Sequence, residues 1–332
     1  DLLFAERLGY SLAYRADQLV AGIDFNKVLM EGMLGLLLFA GAIHINLNDL
    51  AHQKIEVILF ATLGVITNTF LVGAAVYGLT LMLGITLRPI DCILFGALIS
   101  PTDPIAVLSI LKKAGAPKSL ELKIAGESLF NDGIGVVVFL VILELATSGQ
   151  TMHVGQILPL LIKELLGGIT FGFVAGYIVY RLLKSINNYQ VEIIITLALV
   201  MGGYTLASDL HLSAPIAIVI AGLMIGNHGR RFAMSDITRD HLDMFWELID
   251  EILNAVLFIL IGLEVLVLTL QGQYLVAGAM AVPVVLLSRL ISIGLPVMIL
   301  KRWRSFAPRA VRIMTWGGLR GGISVALALS QI

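Results

Sequence analysis

The chain has 332 residues, of which 58% are hydrophobic and only 14% charged, and its net charge is −1. Soluble domains average about 45–50% apolar and 25% charged residues, so this balance excludes most soluble folds, and the near-zero charge argues against a nucleic-acid partner. A single cysteine, Cys92, leaves no disulfide framework, and the absence of HExxH and GxxxxGK[ST] patterns leaves no sign of zinc chemistry or nucleotide hydrolysis.

Residues 1–27 hold Arg7, Arg15, Asp17 and Asp24 and lack the basic start and short apolar core of a signal peptide. They read as an external segment or the end of a preceding span. A bilayer core of about 30 Å needs about 20 apolar residues per helix. Ten such runs follow, at about 28–45, 55–83, 90–111, 120–145, 155–180, 190–207, 212–226, 242–270, 273–300 and 310–330. The chain opens without Met and stops within an apolar run at Ile332, so it reads as a piece lacking helices at both ends. In the fifth run Gly168, Gly172 and Gly176 recur every fourth residue, which predicts close helix packing. His44, His52, His153, His211, His228 and His241 fall near run ends and read as interfacial residues.

The loops test this division. On one side they hold Lys54; Lys112, Lys113 and Lys118; Arg181 and Lys184; Arg230, Arg231 and Arg239; and Lys301, Arg302, Arg304, Arg309 and Arg312, fourteen basic residues in all. The loops between hold one, Arg88. The positive-inside rule then puts the 112–119 loop in the cytoplasm.

The third run reads Ser100-Pro-Thr-Asp-Pro104, where two prolines flank Thr102 and Asp103 and remove backbone hydrogen bonds at mid-span. Unpaired backbone in hydrocarbon survives only where protein or a watery cavity satisfies it. The tenth run reads Trp316-Gly-Gly-Leu-Arg-Gly-Gly322, with four glycines around Arg320. Paired interruptions of this kind point to a midplane site between inverted repeats. The predicted fold is an all-α polytopic membrane protein with inverted-topology repeats and two broken, crossing transmembrane helices.

The fourth run holds Gly126-Glu-Ser-Leu-Phe-Asn-Asp-Gly133. At about 100° per residue, Glu127, Asn131, Ser128 and Asp132 share one side of the helix, with Ser128 and Asp132 stacked at i, i+4. An ionised carboxylate at the bilayer centre costs about 2.5–3.5 kcal/mol even on the lenient insertion scale, so these groups should face the protein interior. Arg289, at the middle of the ninth run, is the expected partner of Glu127, with Arg320 as second choice. That leaves Asp132 and Asp103, with Thr102 and Ser128 beside them. Such oxygens suit a hard cation, which points to Na+ held at Asp132, Asp103, Thr102 and Ser128. Removing water from a carboxylate favours its protonated form, so protons compete with the cation for such a group. One site that accepts either ion but never both, and alternates between the two sides, gives obligatory exchange.

Two other kinds of membrane protein use similar groups. A cation channel presents rings of charge or carbonyls around a pore, whereas these polar groups sit on paired broken helices. An intramembrane aspartyl protease would also use two membrane aspartates, but no GxGD pattern occurs. Glu144, Glu164, Glu192, Glu247, Asp250, Glu251 and Glu264 are expected to be solvated or scaffold residues rather than ligands.

SPTDP, then GESLFNDG, an intramembrane arginine and finally GLRGG together resemble the monovalent cation:proton antiporter family, in its sodium/proton exchanger branch of NhaP and NHE type. The likeness runs from about Asn26 to the C-terminus. It implies an antiporter rather than an enzyme, with no cofactor, carrying Na+ (or Li+ or K+) and H+ across a bacterial-type plasma membrane. It implies thirteen helices, of which this chain holds the third to the twelfth, and a homodimer. Residues 28–54 and 190–272 would form a scaffold and dimerisation domain, 55–154 and 273–332 an ion-translocating core, and 155–189 a linking helix. The resemblance makes Asp132 the ion- and proton-carrying carboxylate, puts Thr102, Asp103 and Ser128 at the ion site with Asn131, and makes Glu127 and Arg289 a structural pair. Electrogenic relatives place a second aspartate at position 131, so asparagine there implies one-for-one exchange. Glu31 and Arg320 are auxiliary candidates.

Overall fold

The structure, a computed structural model, describes residues 32–147, 154–267, 272–304 and 306–318, together with 324, 327 and 328. Helices account for nearly all of it. The predicted runs appear in order as α1 (Leu34–Ile43), a short α2 (Leu47–His52), α3 (Lys54–Met82), α4 (Pro89–Leu98), α5 (Ile105–Lys113), α6 (Lys118–Thr147) and α7 (Val154–Ser185). They continue as α8 (Tyr189–Asp209), α9 (Ala214–Met224), α10 (Asp236–Val267), α11 (Gly272–Leu300) and α12 (Ala310–Trp316). Among the described residues five helical segments are long and apolar enough to cross a membrane: Lys54–Met82, Lys118–Thr147, Pro159–Ser185, Tyr189–Asp209 and Leu275–Leu300. The expected segment 1–27, Glu31 and Arg320 lie outside the described residues.

Local chemistry fixes the helix ends. The Asn46 carboxamide accepts from the backbone N–H of Asn48 at 2.9 Å and starts α2. The Asn188 side chain does the same for Gln190 at 3.0 Å and starts α8, each satisfying an orphan donor of a first turn. Pro89 opens α4, where its missing N–H costs nothing. Gly115 turns the chain between α5 and α6 with φ +67, a left-handed conformation that glycine adopts without a side-chain clash.

Three helices depart from the predicted bounds, and the one begun by α9 continues through Ile225–Gly229 and Arg230–Phe232, past the predicted end near 226. α7 runs to Ser185 rather than ending near 180, because Arg181 and Lys184 continue it and Lys184 sits favourably in its last turn. α10 begins at Asp236, six residues before the predicted start near 242. Its first turns are amphipathic rather than apolar, so the hydrophobic run marks only their continuation.

The glycine stripe of α7 packs as expected. A side chain on Gly168 would strike Ser213, one on Gly172 the Ala217 carbonyl, and one on Gly176 the Ala221 backbone at 3.2 Å. Small residues at the same spacing on α9 therefore let the two backbones touch. α9 also crosses α1, where a side chain on Gly222 would strike Ala42 and Phe39, and α10 meets α1 where Phe39 packs against Trp246 at a ring separation of 4.6 Å. α3 and α4 cross as closely, with Gly96 against the Thr69 carbonyl.

The third predicted span is two helices. α4 ends at Leu98 and α5 begins at Ile105, with Asp103 in a single extended bridge between them. α12 likewise stops at Trp316, so Gly317 and Gly318 leave the helix. The two interruptions meet: Gly317 lies against Val107 of α5, and Met314 of α12 shares a core with Val107 and Ile124.

The two ends of the bundle differ in charge. At one end Lys118 pairs with Asp49 at 3.2 Å, Lys123 and Arg304 approach Glu56 at 3.8 and 3.9 Å, and Asn227 bonds Leu47 at 2.8 Å, which gathers the basic loops on one face. At the other end Arg88 reaches the Ala146 carbonyl at 3.4 Å.

Candidate functional site

Ser100 holds the start of the break. Its hydroxyl donates to the Gly96 carbonyl at 2.7 Å and receives the Asn68 amide at 3.1 Å, with the Thr69 hydroxyl also at 3.1 Å. All three side chains are buried, so the end of α4 is anchored by polar groups of α3. Buried polar groups persist when partnered in this way.

Thr102 is held from the other side by α6. Its backbone N–H donates to Asn131 Oδ1 at 3.4 Å, and Asn131 Nδ2 donates to Thr102 Oγ1 at 2.8 Å. Ser128 Oγ donates to the Thr102 carbonyl. One residue of unwound backbone thus has its donor, its acceptor and its hydroxyl satisfied by side chains one helical turn apart on α6, which answers the cost the two prolines impose.

Glu127 and Arg289 form the expected pair, with Arg289 Nη2 2.6 Å from Glu127 Oε1 and both side chains almost fully buried. Asn131 Nδ2 also lies 3.4 Å from the same oxygen. The ion pair and the broken helix therefore belong to one hydrogen-bonded chain, Arg289–Glu127–Asn131–Thr102. A side chain on Gly318 would come within 2.7 Å of Arg289 Nε, so the first glycine of GLRGG leaves room for the guanidinium.

A cavity of about 550 Å³ opens beside this chain. Lys118, Glu121, Ala125, Ser128 and Asp132 line it along one face of α6, at the three- and four-residue spacing of a helix. Thr102 and Asp103 line it from the break, and both aspartates are partly exposed. Asp49 and Lys118 meet beside it. Of the site residues read from the sequence, Asp132, Asp103, Thr102 and Ser128 share this cavity. Asn131 is fully buried and does not line it. The groups are all oxygen donors, a set that fits a hard monovalent cation.

The family model described as sodium/hydrogen exchanger, transmembrane, matches residues 7–331. The chain belongs to this family. It is 52% identical over 328 residues to the Na(+)/H(+) antiporter NhaP of Pseudomonas aeruginosa, covering 97% of this chain and 77% of that protein. It is 33% identical to the Na(+)/H(+) antiporter NhaH of Halobacillus dabanensis, covering 92% of this chain and 74% of that protein. In fold it is similar to the sodium proton antiporter MjNhaP1 from Methanocaldococcus jannaschii at pH 8. There the TM-score is 0.76 at 20% sequence identity, over 99% of this chain and 84% of that one.

In this sodium/hydrogen exchanger family member the cavity has further walls that the motifs do not announce. Asp250, Asn254 and Leu257 line it from α10, facing the α6 stripe. Their i, i+4, i+7 spacing was the available signal, but only tertiary packing turns that face toward Asp132. Ser324 lines it from beyond the second break, and its buried hydroxyl has no hydrogen-bond partner among the described residues. Glu192, expected to be solvated or part of the scaffold, is buried at the start of α8 and accepts from the Thr238 hydroxyl at 3.1 Å. It caps helix packing rather than reaching the cavity.

Proposed function

We propose that this chain is a secondary transporter that exchanges sodium for protons, with Asp132 as the group that carries one or the other. The reading rests above all on the cavity that ends at Asp132 and Asp103 beside unwound backbone. Asp132, Asp103, Thr102 and Ser128 supply carboxylate, hydroxyl and carbonyl oxygens for the cation, and protonation of Asp132 displaces it. Asn131 does not titrate and Glu127 is held by Arg289, so a single carboxylate cycles and exchange is electroneutral, one for one. Asp250 and Ser324 stand along the approach, where a partly hydrated ion passes before it reaches Asp132.

The basic loops gather on the face to which Lys118 and Asp49 belong, and the positive-inside rule makes that face cytoplasmic. The conformation is then inward-facing in a plasma membrane. Alternating access follows from movement of a core, residues 55–154 and 273–332, against a scaffold, 28–54 and 190–272, linked by 155–189. A homodimer holding the scaffold still completes this arrangement. Family membership and the antiport named for its relatives support the reading, and no step in it requires a cofactor.

The test is cation-driven pH change in proteoliposomes loaded with a pH dye, across sodium, lithium, potassium and choline. Sodium, with or without lithium, should drive proton movement while choline does not. Proton movement equal for all cations, or persistent single-channel currents, would overturn it.

A further inference from the structure

Beside the acidic cavity, on the same face, lies a second one of about 650 Å³, between the end of α1, the start of α2, the helical stretch 225–232 that continues α9, and the first turn of α10. The two share a wall at His44, Ile45 and Asn46 but carry opposite charge. The first has Asp49, Asp103, Glu121, Asp132 and Asp250 against Lys118. The second is lined by Arg230, Arg231, Arg239, His44 and His228, and no Asp or Glu lines it among the described residues. Asn227 fixes its floor, donating to the carbonyls of Ile45 at 2.9 Å and Leu223 at 2.8 Å while accepting from Leu47 N–H at 2.8 Å. Arg230 and Arg231 thus project from a pinned helical stretch and Arg239 from the first turn of α10, rather than from a free loop.

Acids outside the wall neutralise part of this charge. Arg230 pairs with Asp243, and Arg239 pairs with Asp236 at 2.9 Å. Arg231 is exposed, has no acidic partner among the described residues, and stands 5.2 Å over the Phe232 ring. Each guanidinium carries five N–H donors, and the Nε of both Arg230 and Arg239 has no hydrogen-bond partner among the described residues. Those two Nε atoms are buried, so the donors open to a ligand are above all those of the exposed Arg231, which no ion pair uses among the described residues. An oxyanion with several acceptor oxygens is the ligand that matches this wall, since phosphate takes guanidinium groups in paired hydrogen bonds. Basic pockets between membrane helices at the cytoplasmic surface receive such headgroups.

We propose that this cavity is a phosphate-binding site, occupied by the phosphate of an anionic lipid headgroup or by a free phosphate, on the face that carries the basic loops. Its occupancy braces the His44–Asn46 wall that the acidic cavity shares. The site is independent of the transport reading, because binding is measured without transport.

The purified protein in nanodiscs of phosphatidylcholine alone gives a reference melting temperature. Phosphatidylglycerol is then titrated into the discs, or inorganic phosphate into the buffer, and the shift in melting temperature is followed. Saturable stabilisation by at least one probe is expected. In Arg231→Gln/Arg239→Gln the apparent affinity should fall roughly thirtyfold, about fivefold for each charge removed. A response to phosphatidylglycerol identifies the lipid source and a response to inorganic phosphate the soluble one. Should the double variant not fold, the exposed Arg231→Gln change alone carries the test, with about a fivefold loss. Absence of a saturable response to both probes, or an equal response in the wild type and Arg231→Gln, would overturn the assignment.

Discussion

Asn131 joins two features that the sequence presents as separate, the buried ion pair and the unwound Thr102. Glu127 is therefore a support for the site as well as a counter-charge. Glu127→Gln leaves Arg289 buried beside a neutral amide, and breaking a buried pair typically costs about 3–5 kcal/mol. The melting temperature in detergent should drop by several degrees while the order of cation preference stays the same; an unchanged melting temperature with altered preference would reverse the assignment. Ser128 donates to the Thr102 carbonyl and lines the cavity, so Ser128→Ala removes one neutral oxygen and loosens another. The KM for sodium should rise severalfold while exchange persists at saturating cation, and an unchanged KM would remove Ser128 from the site. At this scale the meeting of Asp132, Asp103, Thr102 and Ser128 at one cavity and the Glu127–Arg289 pair were legible, because an ionisable group inside an apolar run demands an explanation by itself. Asp250 and Ser324 were not, because their approach to the cavity depends on how α10 and the second broken span pack.

At the scale of helices, hydrophobic run length predicted nearly every element, and proline and glycine predicted both interruptions. The extension of α10 to Asp236 escaped because run length reads only uniformly apolar helices, and its early turns are polar on one face. The α7–α9 contact follows from small residues alone and permits a controlled comparison. Gly172→Ala would press a methyl into the Ala217 backbone, whereas the space around Gly202 is open. Overpacking of this kind costs about 1–3 kcal/mol. Gly172→Ala should lower the melting temperature and Gly202→Ala should leave it unchanged or raised, since alanine favours helix over glycine. Equal effects at both positions would show that the close approach of α7 and α9 does not matter to stability.

For the whole molecule, alternation of basic loops anticipated the gathering of Lys118, Arg230 and Arg304 at one end. The cavity opening among those loops could not be read from the sequence, since it is a property of the conformation adopted. If one carboxylate cycles, both loaded forms carry the same charge across the membrane. Initial rates in proteoliposomes clamped at several potentials should then be flat, since moving a net charge would be worth about 2.3 kcal/mol per 100 mV. Steep dependence would mean a second titrating group, and Asp103 is the first suspect. The account stands most directly on Asp132, whose replacement by asparagine keeps the shape and removes the titrating group. Sodium-driven proton movement should be abolished in Asp132→Asn proteoliposomes containing protein that melts and elutes like the wild type. Substantial sodium-driven proton movement by that folded variant would contradict the account.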